Sequence, residues 1–205
     1  MRKITILLIS LAFLISSPNL VKADNSKNCL PHQNLAEGPY YIPSPERSTL
    51  NIKELGHNIE LNLTLLDKNC RPVKALKVSL WQTNALGEYS KVEDKGILEL
   101  RGYQITDKKG NVKFKTIIPG WYPGRTPHLH IKVTDKNKVL LTSQLFFPPR
   151  SNIETIYKTY PYSIRGLADT SLSKDTIYNS IKNKSEYLLK YKSKNSYSKQ
   201  VHIVL

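Results

Sequence analysis

Ile59, Leu61, Leu63 and Leu65 are apolar and the residues between them mostly polar. A period of two places one face of a strand in a core and leaves the other half-solvated. Asp67-Lys68-Asn69 supplies the turn that ends this strand, and Val78 and Leu80 open the next, which runs to Trp81. Leu98 to Tyr103 reads as a third strand. After a turn at Asp107-Lys108-Lys109-Gly110, alternation returns at Val112, Phe114, Thr116 and Ile118. His128 to Val133 and Val139 to Phe147 complete six short strands. Short strands separated by turn residues, with no helices between them, predict an all-β chain built as an antiparallel β-sandwich.

The ends read differently. From Asp24 to about Leu55 the chain is rich in Pro, Ser and Asn without periodicity, as expected of an extended N-terminal arm. Past Pro148-Pro149 the pattern weakens into irregular, partly helical elaborations. Thr155 to Tyr160 reads as a helical turn, and Ser173 to Leu189 as holding a short helix capped by Ser173 or Asp175. The segment from Gln200 to Leu205 alternates like a late strand.

Before the arm, Arg2 and Lys3 precede an apolar run from Ile4 to Ile15, and small residues lead to Ala23. This is the pattern of a secretory signal peptide. The run is shorter than the roughly 20 residues a membrane span needs. The expected organisation is a leader at 1–23, an arm at 24–57 and a β-sandwich domain with a C-terminal extension at 58–205, exported to a periplasmic or extracellular space. Export adds meaning to the two cysteines, Cys29 and Cys70. In an oxidising compartment two thiols tend to pair, and this bridge would fasten the arm to the core; two independent buried thiols are the other reading.

The 205 residues carry a formal charge of +15, which becomes +12 once Arg2, Lys3 and Lys22 leave with the leader. The lysines are scattered, with a concentration only near the C-terminus, and no nucleic-acid-binding module is recognisable. Such charge steers small acidic ligands or suits an anionic envelope. A projecting arm on a short chain is also a means of pairing with a second copy.

The chemistry concentrates in Trp121-Tyr122-Pro123-Gly124-Arg125-Thr126-Pro127-His128-Leu129-His130. His-x-His on a strand sends both imidazoles to one face while Leu129, Ile131 and Val133 face the other. Tyr122 sits six residues earlier in a Pro-Gly loop that can fold its phenol back over the rings, and Tyr89 in Gly87-Glu88-Tyr89-Ser90 offers a second phenol. A highly charged ion can deprotonate a coordinated phenol. Two phenolates and two imidazoles suit ferric iron better than zinc. His32, His57 and His202 fit no such pattern.

The ordered set of motifs resembles the intradiol ring-cleavage dioxygenases, non-haem iron(III) enzymes that open catechols between the two hydroxyl-bearing carbons. It comprises Glu37-Gly38-Pro39-Tyr40-Tyr41, Cys70-Arg71-Pro72-Val73, Val78-x-Leu80-Trp81-Gln82 and Gly87-x-Tyr89-Ser90. It continues through Arg101-Gly102-x-Gln104-x-Thr106-Asp107, Thr116-Ile117-x-Pro119-Gly120-x-Tyr122, Arg125-x-x-His128-x-His130 and Gln144-Leu145-Phe146-Phe147. The resemblance implies one Fe(III) per chain held by Tyr89, Tyr122, His128 and His130, with Tyr122 as the ligand displaced when substrate binds. It implies that Arg125 stabilises charge developing on the substrate and that Gln144 helps position it. Tyr40 and Tyr41 would lie near the pocket entrance. The implied reaction joins a catechol-type ring and O2 into a muconate-type diacid. A sandwich does not by itself fix a function. A secreted, non-catalytic ligand- or metal-binding domain is the alternative reading of the same residues.

Overall fold

Alternation becomes packing in β1 (Asn58–Leu66): Ile59, Leu61, Leu63 and Leu65 are buried, while Glu60, Asn62 and Thr64 are half-exposed. The computed structural model describes residues 29–90, 98–149, 152–193 and 195–204. The leader expected at 1–23 lies outside the described residues. Within them, the remaining strands are β2 (Lys77–Trp81), β3 (Arg101–Ile105), β4 (Asn111–Ile117), β5 (His128–Asp135), β6 (Lys138–Phe146), β7 (Lys190–Ser193) and β8 (Ser196–His202). They form two four-stranded sheets, β4-β1-β8-β7 and β3-β2-β5-β6. One core joins their inner faces, with β1 and Phe114 on one side and Val78, Leu80, Leu129, Ile131, Val133 and Leu145 on the other.

The all-β sandwich is therefore observed, with three differences in detail. β1 pairs β8 in parallel, whereas the other strand pairs are antiparallel. The late strand begins earlier than its alternation suggested, and β7 precedes it as an exposed edge strand of Lys190, Tyr191, Lys192 and Ser193. β3 starts at Arg101 rather than Leu98, because residues 99–100 form a turn. In the C-terminal segment, α1 (Ile153–Ile156) and α2 (Thr176–Asn179) are single turns. Asp175 caps α2, accepting a hydrogen bond from the Tyr178 N–H.

The arm is extended but not free. Leu50 is fully buried, and the Leu50 N–H donates to the Lys115 carbonyl on β4. The Leu35 N–H donates to the Thr142 carbonyl, which lays residues 34–41 beside β6 and across the outer face of the second sheet. At its start, Cys29 and Cys70 are disulfide-bonded across a separation of 41 residues. Closing a loop of that length restricts the unfolded chain by about 4 kcal/mol in the chain-entropy account. Replacing both cysteines with alanine is expected to lower the unfolding free energy by about that amount. Urea titration of the two forms measures it, and an unchanged midpoint would show that the arm needs no fastening.

Candidate metal centre

Register builds the centre. Trp81 on β2 pairs Arg101 on β3 and His130 on β5, and His130 pairs Gln144 on β6. Paired residues share a face, so Arg101, Trp81, His130 and Gln144 form one row across the outer face of the sheet. All four are buried, because the arm and the C-terminal segment cover them. His128 lies on the same face two residues from His130, while Leu129 and Ile131 fill the core. A slip of one residue would exchange the two faces.

Two loops bring the phenols. Gly87 has φ +80°, and a Cβ there would lie 1.9 Å from the Trp121 carbonyl oxygen; a Cβ on Gly120 would lie 2.4 Å from that of Ala85. The loops carrying Tyr89 and Tyr122 therefore pack backbone against backbone, at a distance only glycine permits. The Gly120 N–H donates to the Asn84 carbonyl, and Tyr157 Oη donates to the Pro119 carbonyl, fixing the second loop from both sides. Arg101 fixes the first. Its Nε and Nη2 donate to Ser90 Oγ and the Ser90 carbonyl, and its Nη1 donates to the Tyr40 carbonyl.

Four donor atoms converge. Tyr89 Oη is 3.0 Å from His130 Nε2, which is 3.1 Å from His128 Nε2, which is 3.3 Å from Tyr122 Oη. Donors held about 2.1 Å from a single cation lie roughly 3 Å from one another. His128 Nδ1 is 2.7 Å from the Thr126 carbonyl. A carbonyl only accepts, so the proton is on Nδ1 and the Nε2 lone pair faces the other donors. His130 Nδ1 is buried without a hydrogen-bond partner among the described residues. Burial, and then the Arg125 charge, push the His128 imidazole down to about 3. Burial and neighbouring His128 hold His130 well below its ordinary range. Both rings are thus neutral at pH 7, as metal ligation requires. Burial, with Tyr122 alongside, raises Tyr89 above the usual tyrosine range. This phenol ionises only with a strong local positive charge to offset desolvation. Neutral imidazoles beside one buried and one half-exposed phenol fit a highly charged cation. Among the described residues no three His, Cys, Asp or Glu cluster to hold a metal, and the oxygens beside the two imidazoles are those of Tyr89 and Tyr122.

Around the donors, Arg125 Nη1 lies 3.3 Å from Tyr122 Oη, and its Nη2 donates to Gln144 Oε1 at 2.5 Å. Gln144 Nε2 donates in turn to the Ala36 carbonyl of the arm. Tyr40, 44% exposed, stacks on Tyr89 with ring centroids 4.4 Å apart. Tyr41 meets Trp81 edge-on, and Trp81 stacks on His130 at 4.8 Å. Trp81 is 2% exposed and also backs a donor ring. In the sequence Arg101 stands out only as part of a motif and Asp175 only as a helix cap. Asp175 in fact reaches Arg125, with Arg125 Nε donating to its Oδ2 at 2.9 Å. The remaining histidines are engaged elsewhere. His32 contacts the Glu186 carbonyl, His57 contacts Asn195, and His202 contacts the Leu30 carbonyl.

These motifs are shared with known proteins. The model of the family described as Dioxygenase matches residues 36–158. The chain is 30% identical over 155 residues to the protocatechuate 3,4-dioxygenase beta chain of Burkholderia cepacia, covering 68% of this chain and 66% of that one. It is 32% identical over 95 residues to catechol 1,2-dioxygenase of Acinetobacter baylyi, covering 42% and 30%. The chain thus spans just under two thirds of the first relative and under a third of the second. Among solved structures, the intradiol ring-cleavage dioxygenase from Tetranychus urticae superposes with a TM-score of 0.77 at 27% identity, over 85% of this chain and 95% of that one. The dioxygenase domain of a carbohydrate-binding fusion from Streptomyces sp. SirexAA-E gives 0.62 at 26% identity. Sequence, fold and ordered motifs agree, and the chain belongs to the intradiol ring-cleaving dioxygenase family.

Proposed function

We propose that the protein is an Fe(III)-dependent intradiol dioxygenase that cleaves a catechol-type ring with O2 to a muconate-type diacid. The observation that carries this reading is the convergence of two imidazoles and two phenols beside a fixed guanidinium. Tyr89, Tyr122, His128 and His130 would hold the iron, which draws electron density from a bound catecholate and makes its ring reactive toward O2. Tyr122 is the half-exposed phenol. Its oxygen, at the open edge of the site, would be the group placed to accept a proton from an entering catechol. Arg125 stabilises negative charge that develops on the ring, an electrostatic role in a largely desolvated setting. Gln144 keeps that guanidinium in place and ties it to the arm, whose Tyr40 and Tyr41 flank the site. The Cys29–Cys70 bridge supports export to an oxidising compartment. Among the described residues no helix is long and apolar enough to cross a membrane.

The test is the iron-loaded protein in air with catechol, hydroxyquinol or protocatechuate, following oxygen uptake and product mass. The expected outcome is equal consumption of O2 and one of these catechols, with a ring-opened product that carries two new carboxylates. Stable iron binding without product from any of them would favour a metal-binding role instead.

A further inference from the structure

Asp175 lies beyond the segment matched by the family model, yet its carboxylate reaches the candidate centre from the C-terminal segment. The residue is 0% exposed. Its Oδ2 accepts from Arg125 Nε and from the Thr126 N–H, both at 2.9 Å, and its Oδ1 accepts from the Tyr178 N–H at 2.9 Å. α2 holds the carboxylate in place. Tyr178 packs edge-on against Phe146 of β6, ring centroids 5.0 Å apart, in a small cluster with Leu35, Ile181 and Tyr187.

A guanidinium is a planar fork of five N–H donors. Here Asp175 takes Nε and Gln144 takes Nη2, which leaves Nη1 directed at Tyr122 Oη. Gln144 is a neutral acceptor at one corner, and a single corner does not by itself fix the plane of the fork. The charge-assisted bond to Asp175 is the stronger of the two and sets the plane. The Thr126 N–H on the same oxygen fixes the loop just before His128.

We propose, on the basis of the dioxygenase reading above, that Asp175 is a positioning residue for the reaction. Its buried carboxylate aims Arg125 at the place where substrate charge develops, so the C-terminal segment is a working part of the site rather than a cover. Asp175→Asn can keep one oxygen for Arg125 Nε and the Thr126 N–H, with its amide NH2 turned toward the Tyr178 N–H, but removes the charge that orients Arg125.

The experiment compares four iron-loaded proteins: unsubstituted, Asp175→Asn, Arg125→Ala and the double variant. Asp175→Asn is expected to lower kcat for catechol about 100-fold with KM changed less than about 3-fold, since a misaimed group affects the reaction more than binding. Its iron content stays the same. In the Arg125→Ala background the same substitution is expected to change kcat less than about 3-fold, because the two residues act as a unit. Equal losses in both backgrounds would overturn the proposal. A second measurement needs neither iron nor the Asn variant's folding. The Arg125 Nε–H resonance, assigned by its loss in Arg125→Lys, should exchange with solvent far more slowly than in free arginine. Exchange at the free-arginine rate would overturn the proposal even if turnover is normal. Absence of turnover in the unsubstituted protein, with a protected Nε–H, would instead overturn the dioxygenase reaction and any role for Asp175 in it, while leaving the contact itself intact.

Discussion

Arg125→Ala is expected to reduce turnover of a catechol by about 10²- to 10³-fold, the scale seen when one preorganised donor to a developing negative charge is removed. The side chain is 14% exposed and is held at Nε by Asp175 and at Nη2 by Gln144. Little of its charge stabilisation is therefore lost to solvent or to rearrangement during reaction. Iron content should not change, because Arg125 offers no lone pair. Stability should fall by about 3 kcal/mol, the low end of the cost of breaking a buried ion pair. Asp175 loses its cation but keeps two backbone N–H donors, those of Thr126 and Tyr178. Steady-state kinetics beside metal analysis checks this result. A variant that loses iron and activity together would show that Arg125 holds the metal loop rather than the substrate's charge.

His130→Ala is expected to weaken iron binding by well over 100-fold, more than the loss of a group that merely supports a metal ligand. His130 is the middle of the chain of donors, with Tyr89 Oη at 3.0 Å and His128 Nε2 at 3.1 Å. Removing it also uncovers the face of Trp81 and breaks the buried row from Arg101 to Gln144. Tyr122→Phe should be milder for iron retention, because Tyr122 lies at the half-exposed end of the chain and three donors remain. Competition with a chelator of known affinity ranks the two variants. Equal retention of iron by His130→Ala and the unsubstituted protein would place the metal elsewhere.

The parts of this architecture that were legible in the sequence depend on short-range periodicity. Alternation in β1 and β4 marked their inner faces, and His128-x-His130 marked a common face, because a strand repeats every two residues. Asp107 was readable as a turn residue, and its side chain does accept from the N–H groups of Lys109 and Asn111. Asp175 was readable as a cap because capping is local. Its second role was not, since Arg125 lies 50 residues away and no spacing rule joins them. The same holds for the row Arg101, Trp81, His130 and Gln144, which exists only once the register of four strands is set. β7 was missed because its Lys190, Tyr191, Lys192 and Ser193 lack an apolar alternation, being exposed throughout at a sheet edge. The parallel pairing of β1 with β8 links the last part of the chain to the first strand, a long-range choice made by packing. Leu35 and Leu50 were hidden in an arm without periodicity, yet each is buried against the body it crosses.

The proposed role of Tyr89, Tyr122, His128 and His130 is to hold ferric iron together in a position open to a catechol. Its most direct measurement is the visible spectrum of the Fe(III)-loaded protein, recorded without oxygen before and during a catechol titration. A broad phenolate-to-iron band that shifts as catechol is added, saturating at one catechol per iron, is the expected result. Iron that binds without such a band, or a band that catechol leaves unchanged, would contradict it.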